Sequence, residues 1–207
     1  MSATFTFCEH NGPVASIGST GLTSGVTQVN WKSVDDVATA YAAAPIVAGT
    51  NSYEKWQFVR FGGTYTQILN GRFAHTGGAL PSGVSLFGPP AMTSDSTRLA
   101  YPSAPSRSTN GNLTDISAVT DISQGAAVFF GLGQPGDSGK AASYTPGGGS
   151  VAACTNYLTT QLRTTGDATT GAGGPLTLTF RFDENAVVAL LVPAFSLFGS
   201  LLLGSLC

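Results

Sequence analysis

The residues with the clearest capacity for chemistry lie in Gly136-Asp137-Ser138-Gly139, a glycine-flanked turn that would present a serine hydroxyl. His75 and either Asp115 or Asp121 precede Ser138, in the order base, acid, nucleophile. Such a serine reacts only when a histidine within hydrogen-bond reach takes its proton and a carboxylate orients that histidine. Asp121 stands only 17 positions before Ser138, which leaves little chain to bring acid and nucleophile in from separate strands.

The turn resembles the nucleophile turn of chymotrypsin-like serine proteases, but Lys140 stands where that family has a further glycine. Around His75 the chain reads R-F-A-H-T-G-G, without the Ala-His-Cys context of those enzymes. A polar loop in which Asp137 and Ser138 shape turns is the simpler reading. Gly133 to Ala141 also falls short of a phosphate-binding loop, because Gly133 and Gly139 are one residue too far apart and Ala141 replaces the magnesium-binding hydroxyl. His10 and His75 are the only histidines, and no carboxylate spacing accompanies them, so a hydrogen-bonded or solvated ring is expected at each. The adjacent pairs Asp35-Asp36 and Asp183-Glu184 point their side chains apart and make no acid/base dyad; the first reads as a helix start and the second as a strand end. No catalytic, cofactor-binding or metal-ligating residue is therefore assigned, and no enzyme activity is expected.

Charge narrows the function further. Against eleven Asp plus Glu, net -2, the nine Lys plus Arg are scattered singly, which leaves no basic stripe to neutralise phosphates and argues against nucleic-acid binding. Charged residues make up 10% of the chain while 42% is apolar, with Gly, Ser and Thr supplying the polarity, a balance that suits short strands and many turns. Cys8, Cys154 and Cys207 have neither framework nor zinc spacing, although a Cys8 to Cys154 bridge stays open. The opening M-S-A-T-F-T-F-C-E-H has no basic region followed by an apolar run, so no secretory signal is expected and the chain is expected to begin in the cytosol of the cell that makes it.

The elements that must position any site centre on Tyr53 to Phe73. Trp56, Phe58 and Arg60 alternate with Gln57, Val59 and Phe61, and the pair Gly62-Gly63 then precedes a second β-rich run, which predicts a β-hairpin. Its aromatic residues, Tyr53, Trp56, Phe58, Phe61, Tyr65 and Phe73, suit a core better than a ligand-binding strip. Thr4 to Phe7, Val26 to Trp31, Val84 to Phe87 and the apolar run Ala126 to Leu132 are further expected strands, as are Tyr157 to Thr165 and Pro175 to Asp183. Ser33 as N-cap, with Val34, Val37, Ala38 and Tyr41 on one face and Pro45 as stop, predicts a short helix near residues 34–43. Asn11 to Gly25 reads as a loop or two short edge strands, and Pro102 to Asn112 and Gln134 to Ser150 read as loops. Together these give a mainly β protein, an antiparallel β-sandwich of jelly-roll type over residues 1–185.

Residues 186–207 form an uncharged, apolar tail. It is long enough to span a bilayer, and Ser196, Ser200 and Gly204 form a small-residue stripe on which a second helix can pack. The same run suits a tail buried in an oligomer interface, with Pro193 dividing it, or an extension that is removed. In the first two readings Leu190, Leu191, Phe195, Phe198, Leu201, Leu202 and Gly204 are the assembly or membrane contacts.

Four segments carry a resemblance: N-W-K-S-V-D-D, N-S-Y-E-K-W-Q-F-V-R-F-G-G-T-Y-T-Q-I, L-P-S-G-V-S-L-F-G, and N-Y-L-T-T-Q-L-R-T-T-G-D-A-T-T-G with its closing L-T-L-T-F-R-F-D-E-N. Over about Asn30 to Asn185 the chain resembles virion structural proteins of tailed bacteriophages. The resemblance implies a β-sandwich that decorates a capsid or builds a tail appendage, as a homo-oligomer bound to other virion proteins, made in the host cytoplasm, with no active site or cofactor. The apolar tail departs from that pattern. A carbohydrate- or receptor-binding module, served by the loops Pro102 to Asn112 and Gln134 to Ser150, and a tail-anchored membrane protein are the alternatives.

Overall fold

The computed structural model describes residues 3–13, 21–89, 104–120, 128–133, 143–146, 153–169 and 174–185. Among them the strands are β1 (Ala3–His10), β2 (Leu22–Ser24), β3 (Lys55–Gly63), β4 (Gln67–Gly77), β5 (Val84–Gly88) and β6 (Thr114–Asp115). The chain continues through β7 (Val128–Phe130), β8 (Leu132–Gly133), β9 (Ser143–Tyr144), β10 (Ala153–Thr155), β11 (Leu158–Thr164) and β12 (Thr177–Asn185). They form two antiparallel sheets packed as a sandwich. The larger runs β2-β1-β3-β11-β5-β6, with β10 beside β3 and β8 beside β10; the smaller runs β12-β4-β7, with β9 also on β4.

The expected hairpin is overturned. β3 and β4 are both strands, but they lie in different sheets: β3 pairs with β1, β10 and β11, and β4 pairs with β12, β7 and β9. The chain between them is an arch that crosses the core. Gly63 takes a positive φ of 85°, Tyr65 turns inward to 6% exposure, and the Thr66 N–H donates to the Asn185 carbonyl at 2.9 Å. A glycine pair permits an arch as readily as a tight turn, and the burial of Tyr65 favours the arch. β11 and β12 are likewise strands of opposite sheets.

Period-two alternation builds the rest. In β12 Phe180 is buried and Phe182 half-buried, while Thr177, Arg181 and Asp183 are exposed. The inner faces meet in one core that includes Val59, Phe61, Tyr65, Ile68, Phe73, Leu158 and Phe180. Asn70, at φ 55°, marks a bulge on β4 between the pairs Arg181↔Arg72 and Asp183↔Leu69. The apolar run expected as one buried strand divides at Gly131, so that β7 joins β4 and β8 joins β10.

Two further expectations are corrected. Residues 34–43 form no α-helix, only bends followed by a 3₁₀ turn over Tyr41–Ala43: Asp35 accepts from Asn11 and Gly12, and Asp36 from Lys32 and Thr39, bonds that hold this stretch in bends. Val26 to Asn30 is an irregular strap with no ladder partner. Residues 186–207, and with them Leu190, Leu191, Phe195, Phe198, Leu201, Leu202 and Gly204, lie outside the described residues. So do Asp121, Asp137 and Ser138.

Phe61 anchors the core at 1% exposure, whereas Val47 is 63% exposed. Phe61→Ala is expected to cost about 3–5 kcal/mol and Val47→Ala no more than about 0.5 kcal/mol, read as midpoint shifts in urea unfolding.

Candidate functional site

A buried polar cluster lies on the inner face of β1 and β3. Residues directly opposite in an antiparallel pair share a face, and Glu9 lies opposite Gln57, two residues along β3 from Lys55. Lys55 Nζ donates to Glu9 Oε1 and Gln57 Nε2 donates to Glu9 Oε2, each at 2.9 Å. All three side chains are 2–3% exposed. Both oxygens of the carboxylate are engaged, which is what an ion pair removed from water requires.

The strap over Val26 to Asn30 closes this cluster from above. Beneath it a cavity of about 20 Å³ is lined by Glu9, Lys55, Lys32, Asp36 and Gln28 among others, room for one water-sized molecule. A second cavity of about 80 Å³, lined by Phe7, Val26, Gln57, Phe73 and Leu178 among others, separates the strap from the edge of the main core. Neither approaches the size of a small-molecule site. Lys32, 1% exposed, donates to Asp36 Oδ1 at 2.8 Å and to the Thr39 carbonyl at 2.5 Å. Thr39 donates to Asp36 through both its N–H and its hydroxyl. Asp35 accepts from Asn11 Nδ2 and from the Gly12 N–H, each at 2.8 Å, and so pins the strap to the end of β1. Trp31 completes the attachment, donating from Nε1 to Thr160 Oγ1 at 3.1 Å.

The loop over residues 104–112 is fastened in the same manner. Glu54, 4% exposed, accepts from Trp56 Nε1 at 2.9 Å, Asn110 Nδ2 at 2.8 Å and the Ser106 N–H at 3.3 Å. Arg163 donates to the Asn110 carbonyl at 2.7 Å and lays its guanidinium 3.7 Å from the centre of the Phe87 ring. Arg107 donates to the Asn51 carbonyl and Thr50 Oγ1, each at 2.9 Å.

Each histidine is built into the sandwich. His75, 1% exposed, has Nδ1 3.0 Å from the Ser117 carbonyl and Nε2 2.9 Å from the Gly77 carbonyl. With both ring nitrogens facing backbone it is not offered to a serine, and Asp115 is exposed and accepts from the Ser117 N–H. His10 Nδ1 shares a 2.7 Å hydrogen bond with the Tyr157 hydroxyl, whose pKa is raised by burial and then by the nearby Cys154 sulfur. Cys8 and Cys154 are buried free thiols, so no bridge joins them; β3 runs between them, with Cys8 opposite Phe58 and Cys154 opposite Arg60. Of the aromatic strip, Trp56, Phe58, Phe61, Tyr65 and Phe73 are buried and Tyr53 is half-buried. Asp183 and Glu184 part to opposite faces, the first accepting from Asn70 Nδ2 and the second from the Ala3 N–H. Among the described residues no group of three or more His, Cys, Asp or Glu is placed to hold a metal, and no helix is long and apolar enough to cross a membrane.

No family model matches the chain, and no curated protein or solved structure does.

The sequence reading missed Glu9, Lys32, Glu54 and Lys55. One signal was present: in a chain so poor in charge, Glu54 and Lys55 open the strongest strand, where a solvated charge has little room.

Lys55→Met leaves Glu9 buried with Gln57 alone and is expected to cost about 3–5 kcal/mol. The double variant Lys55→Met/Glu9→Gln should cost less than Lys55→Met alone, a sign of coupling that urea unfolding of the set would read. Hydrogen bonds from Lys32 and then Thr39 hold the Asp36 carboxyl well below its usual 3.8. A depressed folded value gives stability that is present above the unfolded value and lost as pH falls toward the folded one. Asp36→Asn should therefore be less stable than the wild type at neutral pH, with the gap closing as the pH drops below 3.8. Unfolding curves measured across that range check the sign.

Proposed function

We propose that this chain is a non-enzymatic structural subunit of a virus particle, a capsid-decorating or tail-appendage sandwich that works in repeated copies. One observation supports this reading more than any other. Buried ionisable groups among the described residues are engaged within the protein: Glu9 with Lys55 between β1 and β3, Lys32 with Asp36, Glu54 with Asn110, His75 with the Ser117 carbonyl and His10 with Tyr157. Groups held in that way stiffen a scaffold and are not presented to a substrate. The segments that carry the resemblance to tailed-phage virion proteins fall on residues 30–36, where the strap ends, and on β3, β5, β11 and β12. Its partners in this reading are other virion proteins and further copies of itself, and its place is the finished particle.

Purified particles of the virus that encodes the chain test the proposal. Mass spectrometry of intact particles should find the chain in fixed ratio to the major shell or tail protein, and cryo-microscopy should place a two-sheet density at repeated positions. Absence of the chain from intact particles would sink the reading.

A further inference from the structure

β12 has β4 on one side and, among the described residues, no strand on the other. It is nine residues long, and the bulge beside it lies on β4, so β12 itself keeps a regular alternation. A long regular edge is a template for strand addition. The same side of the sandwich carries a second edge: among the described residues β2 pairs with β1 at Cys8 to His10, Gly25 and Val26 donate to the Phe7 carbonyl, and no strand pairs with Ala3 to Thr6 on that side. There Phe5 is 48% exposed while its ring meets Phe182 at 5.8 Å.

We propose that a second copy of this chain pairs with this edge, β12 antiparallel to β12, about a two-fold axis through Phe182. The register is set by charge and face. Directly opposed residues must share a face, so the outward set Thr179, Arg181, Asp183 and Asn185 must meet itself. Centring on Arg181 sets arginine against arginine, and centring on Asp183 sets carboxylate against carboxylate. Centring on Phe182 sets Arg181 against the second copy's Asp183 twice, and Thr179 against its Asn185.

Cross-strand charge within one copy favours the same answer. Arg181 lies directly opposite Arg72 on β4, a like-charge pair, and has no ion pair among the described residues. The second copy's Asp183 supplies the missing negative charge. On the inner face the two Phe182 rings come together beside the exposed Phe5 rings, and the two four-stranded sheets become one continuous sheet. The contact is isologous and closes on itself.

This pairing rests on the assembly reading and deepens it by naming the first partner, and its test is separable: a chain that is monomeric in solution is still either present in or absent from particles. The full chain should sediment as a dimer. Arg181→Glu and Asp183→Arg each create two like-charge contacts across the axis and should each weaken the dimer on the order of a hundredfold. An equimolar mixture of the two variants should dimerise again, because every contact across the axis is then opposite in sign. A monomeric wild type, variants as dimeric as the wild type, or folded variants that stay apart on mixing would overturn the proposal. Should a variant fail to fold, hydrogen exchange of the wild type decides: pairing protects every β12 amide, while a lone edge protects alternate ones. Full protection in a monomer would mean that the chain covers this edge itself, and would also overturn it.

Discussion

β3 is buried on both faces from Lys55 to Val59, and that constraint shapes the molecule. It is bonded along its length to β1 on one edge and to β10 and β11 on the other. One face of it, Val59 and Phe61, belongs to the core between the sheets, and the other, Trp56 and Phe58, is buried among Cys8, Cys154 and Tyr157. A strand so enclosed must satisfy every polar group it carries within the protein. Lys55 and Gln57 meet Glu9, and Trp56 meets Glu54. Those carboxylates in turn fix where β1 and the loop over residues 104–112 lie. The ion pairs are consequences of where β3 runs.

The strap over Val26 to Asn30 has the same origin. The smaller sheet does not extend over Lys55 and Glu9, so some other part of the chain must cover them. Lys32, Asp35 and Asp36 hold that cover in place, and Trp31 packs under it. A protein with few charged side chains has placed Glu9, Lys32, Glu54 and Lys55 inside, as fasteners.

Strands were legible in the sequence, and their partners were not. β12 and β3 stand out by alternation alone, since period two needs only local residues. The path of the chain after β3 is decided from far away: Gly62-Gly63 is compatible with a hairpin or an arch, and the choice rests on Tyr65 entering the core and Thr66 meeting Asn185, a residue distant in sequence. The helix expected over residues 34–43 failed for a related reason. Ser33 and the two aspartates have the composition of a helix start, but Asp35 reaches Asn11 and Gly12, and Asp36 reaches back to Lys32 and on to Thr39. Side chains that compete with the backbone for hydrogen bonds carry no sequence mark of which donor they will take. Of the candidate site, the two histidines were expected as hydrogen-bonded or solvated rings and are hydrogen-bonded, whereas the buried Glu9–Lys55 pair was not anticipated, because a lysine in a strand usually reads as a solvated one.

The arrangement stands or falls on β3 and β4 belonging to different sheets, since that placement makes β12 the outer edge of the smaller one. Nuclear Overhauser contacts across paired strands report it directly. The arch predicts contacts of Phe61 with Phe5 and of Phe73 with Phe180, the partners in the two ladders. A ladder running back across Gly62-Gly63, with Phe61 facing Thr64 and Val59 facing Thr66, would contradict it.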